Sequence, residues 1–420
     1  MDNYIEIESQ NLIHILEGEE EFFNKFIKKY NIIWKTEDRI NSILPISKSY
    51  VGYIITPNRK INLRPKYKEI GFEHIFRMYM FVYGYRSTDS PNILDVAETQ
   101  NDIDVARLFI DNLKKNIKSG ILQDYLRRDI ENKKLKGKVN YKKTFINKIT
   151  NKNRAVITSV SKLTVDILPN KLILTALKKL NKISEYRKTS SELLMYFEDV
   201  KGTISRGKAG ELLKKINFNS NTSRYRQSLL YASMIIDQMD YDELGNSVGG
   251  ESFLINFDRL FEIFVGKVLT KQAESKLYNI WSESNKYADI LSNGICVDSR
   301  EYLPDILYNY VSEDENYNYQ KSAYAVLDVK NKAYGIFKNA DVFQILTYAR
   351  ILNCKKTLLL YPSFHRKQPD ELILNPELFD PYKITACYIN IADNTGERFL
   401  YSINSFVKTV ENVIDDVSIN

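Results

Sequence analysis

The chain has few of the residues from which metal and nucleophile sites are most often built. Its three cysteines (Cys296, Cys354 and Cys387) are odd in number and far apart in a chain of 420 residues. That pattern argues against a disulfide framework and against a zinc site, and it fits a reduced, cytoplasmic protein. His14, His74 and His365 are the only histidines, which weakens histidine-metal and Ser-His-Asp schemes. No apolar run approaches the roughly 20 residues of a membrane span. The start, MDNYIEIESQ, is acidic and lacks the basic and apolar regions of a signal peptide, so no membrane partner is expected.

What is present belongs to a globular protein, with 44% hydrophobic and 12% aromatic residues. At this length two or three domains are expected. The net charge of +7 is unevenly spread: residues 114–162 carry fifteen Lys or Arg against Asp124, Asp129 and Glu131. Such an excess suits a phosphate-binding face, although lysine-rich solvated surfaces also arise without one.

Along the chain, "SYVGYIITPNRKINLRPKY" reads as two strands around the turn Pro57-Asn58-Arg59-Lys60. Helical periods follow from "FEHIFRMYMFVYGY" and over 101–135, 170–198 and 224–238. "DELGNSVGGES" (242–252) is the best linker candidate, and "FLINFDRLFEIFVGKVLTKQAE" after it reads as an amphipathic helix. Strand-like runs then appear near 288–297, 303–310, 322–329, 355–361 and 384–391, with one helix at 339–352. The expected fold class is α/β. A mixed α+β amino-terminal domain (1–245) should precede a carboxy-terminal domain (246–420) with a central mixed sheet flanked by helices.

"GTISRGKA" (202–209) spaces Gly202, Gly207 and Lys208 like a phosphate loop. Ala209 replaces the magnesium-binding Ser or Thr, and the preceding segment reads as helix, so no nucleotide should bind there. A stronger constellation begins with Asp305, just after Pro304 at the start of an apolar strand. An acidic hairpin tip, "VSEDENYNYQ", leads to "AYAVLDVK", and folding the hairpin brings Asp305 near Asp328 and Lys330. Two close carboxylates repel, and a divalent cation relieves them; oxygen donors favour Mg²⁺ or Mn²⁺. The Val329 carbonyl would add a hard ligand, and Lys330 would hold a water or a phosphate oxygen. Glu262 sits in an apolar helical stretch as a further candidate ligand. Gln344 and Tyr348, four apart, share a helix face that could support a phosphate backbone. The alternative is a surface hairpin whose Asp and Lys form a weak ion pair.

The order Glu262, Pro304-Asp305, Asp328-Val329-Lys330, Gln344-x-x-x-Tyr348 resembles the PD-(D/E)XK nuclease fold, in its Gln-x-x-x-Tyr variant. "YVGYIITPNRKINLRPKY", "LQDYLRRDIENKKLKGKVNY", "VDILPNKLILTALKKL" and "LFEIFVGKVL" are similar, in that order, to motifs of the McrC family, LlaJI-type relatives included. The likeness runs through most of residues 50–360. The first 45 residues match no family motif, and "D-V-K-N-K" replaces the commoner "D-x-K-Y-K".

The resemblance implies a type IV-like restriction endonuclease subunit that hydrolyses double-stranded, modified DNA with Mg²⁺. Asp305, Asp328 and Lys330 would be catalytic, Gln344 and Tyr348 supporting, and Asp305, Asp328, Val329 and Glu262 would hold the metal. It also implies a partner, a McrB-like AAA+ GTPase hexamer docked by the amino-terminal domain and stimulated by it. The basic 114–162 segment would contact either DNA or that motor. Rival readings are a stand-alone RecB-like repair exonuclease and a non-catalytic DNA-binding activator.

Overall fold

A computed structural model describes residues 4–7, 12–30, 43–56, 58–83, 105–132, 137–151, 156–220, 222–242, 250–311, 322–380, 383–393 and 396–415. The protein is a mixed α/β fold. It divides into two compact units, Met1–Ile103 with Leu254–Asn420, and Asp104–Phe253. The units do not follow the expected break at 245/246, because residues 1–103 pack with the carboxy-terminal part. The cause is apolar burial: helix Phe72–Tyr83 lies on helix Phe257–Gln272, with the rings of Phe81 and Phe264 5.4 Å apart, edge to face. The core of the linker candidate (243–249) and the acidic hairpin tip (312–321) lie outside the described residues.

The first unit is organised by a six-stranded mixed sheet. Its order is Tyr278–Ile280, Ile306–Val311, Ser322–Val329, Lys356–Ser363, Lys383–Asn390, Asp370–Ile373. The three strands from Ser322–Val329 to Lys383–Asn390 are parallel neighbours, and the remaining pairings are antiparallel. Lys356–Ser363 is central and almost wholly buried, which is why KTLLLYPS reads as a continuous apolar run rather than an alternating one. Helix Asn339–Ile351 covers one face, where Val342, Ile345 and Ala349 meet Leu307, Val326 and Leu359. Helices Phe257–Gln272 and Gly396–Ile414 cover the other, with Phe264 and Phe399 stacked at 5.7 Å.

The segment FLIN, expected within a helix, belongs to strand Gly250–Asn256, and the helix begins only at Phe257. Asn256 makes the boundary, its side chain accepting from the Arg259 N–H at 3.0 Å as an N-cap. Strands Tyr50–Ile55 and Lys60–Leu63 pair antiparallel, with the Thr56 N–H donating to the Arg59 carbonyl at 2.8 Å; Pro57 of the expected turn lies outside the described residues. Gly52 stands at φ 138°, a conformation that favours glycine.

In the second unit, helices Val105–Ile117, Leu168–Leu180, Ser184–Leu194, Ala209–Lys214 and Arg226–Gln238 pack together. The helical reading of 101–135 holds only to Ile117. Gly120, at φ 84°, ends that helix, and Asp124–Asn132 is a strand paired with Val156–Thr164. Leu126 and Ile130 are four apart, a spacing that suits either period, and long-range pairing decides it.

Asn170, fully buried, donates to the carbonyls of Leu122 and Val165 at 2.7 Å each, tying helix Leu168–Leu180 to the segments beside those strands. Asn170→Leu strands the Leu122 carbonyl, while the Val165 carbonyl keeps the Ile167 N–H at 2.9 Å. It should cost about 1–3 kcal/mol, read as a lowered melting midpoint by circular dichroism.

The phosphate-loop look-alike is closed from within. The N–H groups of Gly207, Ala209 and Gly210 donate to the Asp237 carboxylate at 2.8, 3.2 and 2.9 Å. These bonds tie the turn to the end of helix Arg226–Gln238. Among the described residues no helix is long and apolar enough to cross a membrane.

Candidate active site

The sheet register brings the carboxylates together. Ile306 pairs with Leu327 antiparallel, so one step further along the strands Asp305 comes opposite Asp328. Asp328 ends an apolar strand and is 1% exposed, whereas Asp305 is only partly buried. The Val329 N–H donates to Asp305 Oδ2 at 2.6 Å, pinning the first carboxylate to the D-x-K strand. Alternation puts Val326, Asp328 and Lys330 on one side of the strand, the side on which Val326 meets helix Asn339–Ile351.

That helix completes the cluster. Lys330 Nζ donates to Gln344 Oε1 at 2.9 Å, and Gln344 Nε2 donates to Tyr348 Oη at 2.7 Å. Lys330 Nζ also lies 2.5 Å from Asp328 Oδ2 as an ion pair, but off the direction of a hydrogen bond. That buried oxygen has no hydrogen-bond donor. Asp305, Asp328, Lys330, Gln344 and Tyr348, expected together from their order alone, are therefore neighbours in space.

The electrostatics are those of an anionic pocket short of positive charge. Burial pushes Asp305 up to about 8, with the charges of Asp328 and Glu262 adding to it. Asp328 is raised as well, chiefly by burial, against the opposing ammonium of Lys330. At Lys330 burial works downward, but the charges of Asp328 and Asp305 outweigh it and the ammonium is stabilised.

Glu262 stands apart. Its side chain is exposed, yet partial burial and the charge of Asp328 raise its pKa, so it lies within electrostatic reach of the pair. Among the described residues no group of three or more His, Cys, Asp or Glu is arranged to hold a metal ion. The site offers the oxygens of two carboxylates, Asp328 being ion-paired to Lys330 and its buried Oδ2 accepting no hydrogen bond. That donor set fits a hard divalent cation and not a thiolate-binding or imidazole-binding one.

Sequence reasoning missed the residues behind the site. Asn331, buried beside Lys330, donates to Asp258 Oδ1 at 2.7 Å and accepts from Tyr67 Oη at 3.1 Å. Lys332 places Nζ 2.8 and 2.9 Å from the two oxygens of buried Asp341. The signal was legible in part: "RPKY" and "D-V-K-N-K" carry these residues, but nothing in either motif states which partner it meets.

A family model, the McrBC 5-methylcytosine restriction system component, matches residues 46–362. The chain belongs to the McrBC family. The match covers well over half of this McrBC-family chain and spans every candidate site residue from Glu262 to Tyr348. It is the family to which the McrC-like motifs pointed. Among curated proteins none matches.

Among solved structures, the chain is similar to one in a refined half-complex of the tetradecameric assembly of Thermococcus gammatolerans McrB AAA+ hexamers with bound McrC. The two are 19% identical, with 96% of this chain and 100% of that chain covered and a TM-score of 0.46. The cryo-EM structure of the McrBC complex from the same organism gives 19% identity, 64% and 88% coverage, and a TM-score of 0.37.

Proposed function

We propose that this chain is the McrC-like nuclease subunit of a GTP-dependent restriction system, cutting double-stranded, modified DNA by Mg²⁺-dependent phosphodiester hydrolysis. The observation that carries the reading is the meeting of Asp305, Asp328 and Lys330 at one sheet end, with Gln344 and Tyr348 above them. Asp305 and Asp328 would hold Mg²⁺ or Mn²⁺, with the Val329 carbonyl beside them and Glu262 reaching in as a further oxygen donor. When bound, such a cation supplies Lewis-acid stabilisation of phosphate charge and lowers the pKa of a coordinated water.

Lys330 does the work nearest to the reacting phosphate. An ammonium has three donors; Gln344 engages one of them, Asp328 holds the charge as an ion pair, and a free donor can orient a water or hold a developing oxyanion. Gln344 fixes the ammonium from the far side, and Tyr348 fixes the Gln344 amide. The pair thus stiffens a flexible side chain at the point where position matters most.

The chain binds no nucleotide itself on this reading. The proposed partner is a McrB-like AAA+ GTPase hexamer, docked through the amino-terminal motifs and stimulated by this subunit. The family description, a component of a restriction system, supports work within an assembly.

The test is a single-turnover cleavage assay with Lys330→Gln in the assembled complex. The rate should fall by about 10²–10³-fold, with DNA affinity little changed. Cleavage at the wild-type rate would refute the assignment of Lys330.

A further inference from the structure

The "RPKY" motif has no part in the chemistry above, yet the structure places it directly behind the site. Lys66 Nζ donates to the Asn331 carbonyl at 2.6 Å and pairs with Asp258 Oδ1 at 2.6 Å. Tyr67 Oη donates to Asn331 Oδ1 and accepts from the Ala333 N–H, both at 3.1 Å. Asp258 in turn accepts from Asn331 Nδ2 and from the Ser49 hydroxyl. Both polar atoms of the Asn331 side chain and its carbonyl are thereby held. All three tethers come from parts of the chain remote in sequence: residues 49–67 and the first turn of helix Phe257–Gln272.

The tethered residue is the one that follows Lys330. Between Lys330 and Lys332 the backbone turns tightly, with the Lys332 N–H donating to the Lys330 carbonyl at 2.7 Å. On the far side of this turn, Lys332 grips Asp341 in the first turn of the helix that carries Gln344 and Tyr348. The turn is thus fixed to two helices at once, through Asn331 to one and through Lys332 to the other. A lysine stem is long and rich in rotamers, so its ammonium is placed only as well as its backbone is.

We infer that Lys66, acting through Asp258 and Asn331, is a positioning residue for the site. It locks the Lys330–Ala333 turn so that the Lys330 ammonium stays between Asp328 and Gln344. The inference rests on the proposed nuclease reading for its catalytic consequence, and on hydrogen bonds alone for its structural one. It gives the RPKY segment a role in setting the site's geometry, distinct from any part in docking a partner.

Two measurements on the full chain test it, with Lys66→Met and Lys66→Arg beside wild type and Asp328→Ala. In hydrogen–deuterium exchange, Lys66→Met should speed exchange at the Lys332 and Ala333 amides, while strands Ser322–Val329 and Lys356–Ser363 stay protected. In single-turnover cleavage at saturating DNA, Lys66→Met should slow the reaction by about 10–100-fold, the scale of a misplacement near 1 Å. DNA affinity should not move. Lys66→Arg, which can still bridge a carboxylate and a carbonyl, should restore most of the rate. Unchanged exchange at Lys332 and Ala333 overturns the tether, and faster exchange with an unchanged cleavage rate overturns the positioning role. If wild type and Asp328→Ala alike fail to cut, the nuclease reading falls, and the exchange result still decides the tether.

Discussion

Replacing Asp328 with alanine should lower DNA cleavage by at least about 10³-fold while partner binding and stimulation of GTP hydrolysis persist. The size follows from the residue's position. Asp328 is 1% exposed, ends a central strand, and is the carboxylate to which Lys330 is paired. On the proposed reading its loss would remove a metal ligand and release the ammonium that would act on the phosphate. The fold should survive, because the apolar residues flanking it in AYAVLDV, not Asp328, pack the sheet. Gel assays of linear 5-methylcytosine-containing DNA, run beside a pull-down of the partner, separate the two effects. Loss of partner binding together with cleavage would point to misfolding, and Asp328→Asn then serves as the milder variant.

Asp305→Asn should have opposite effects on activity and stability. Burial and the neighbouring Asp328 push the Asp305 pKa up to about 8, whereas an unfolded aspartate titrates near 4. Across that window the folded chain binds the proton more tightly than the unfolded chain, so metal-free stability falls as pH rises from about 4 to about 8. Asparagine keeps an oxygen to accept from the Val329 N–H and removes the charge. The metal-free variant should therefore melt higher than wild type at pH 8, by an amount on the order of a few kcal/mol, and the gap should narrow toward pH 5. Added Mg²⁺ should raise the wild-type midpoint and leave the variant's little changed. Cleavage should be lost. A variant less stable than wild type at pH 8 would contradict the anionic-pocket account.

Much of this was legible in the sequence because the relevant physics is local. The strands Ile306–Val311 and Ser322–Val329 announce themselves by apolar runs, and the acidic stretch between them marks a reversal. From that hairpin alone the approach of Asp305 to Asp328 follows, and the four-residue spacing of Gln344 and Tyr348 sets them on one helix face. What was illegible depends on distant pairing. Asp124–Asn132 has a spacing that suits helix and strand equally, and only Val156–Thr164 settles it. The boundary at 245/246 followed a glycine-rich stretch, whereas the compact units are set by aromatic packing between residues 72–83 and 257–272. Lys66 and Asn331 are 265 residues apart along the chain, and no periodicity connects them.

The central claim is that Asp305, Asp328 and Lys330 form a metal-dependent nuclease site on this subunit. Its most direct test is the cleavage of 5-methylcytosine-containing duplex by the purified chain with its GTPase partner and GTP, in Mg²⁺ and in excess EDTA. The account predicts double-strand cuts in Mg²⁺ that vanish on chelation and with Asp328→Ala. Cleavage that persists in EDTA, or intact stimulation of GTP hydrolysis with no cleavage under either condition, would contradict it.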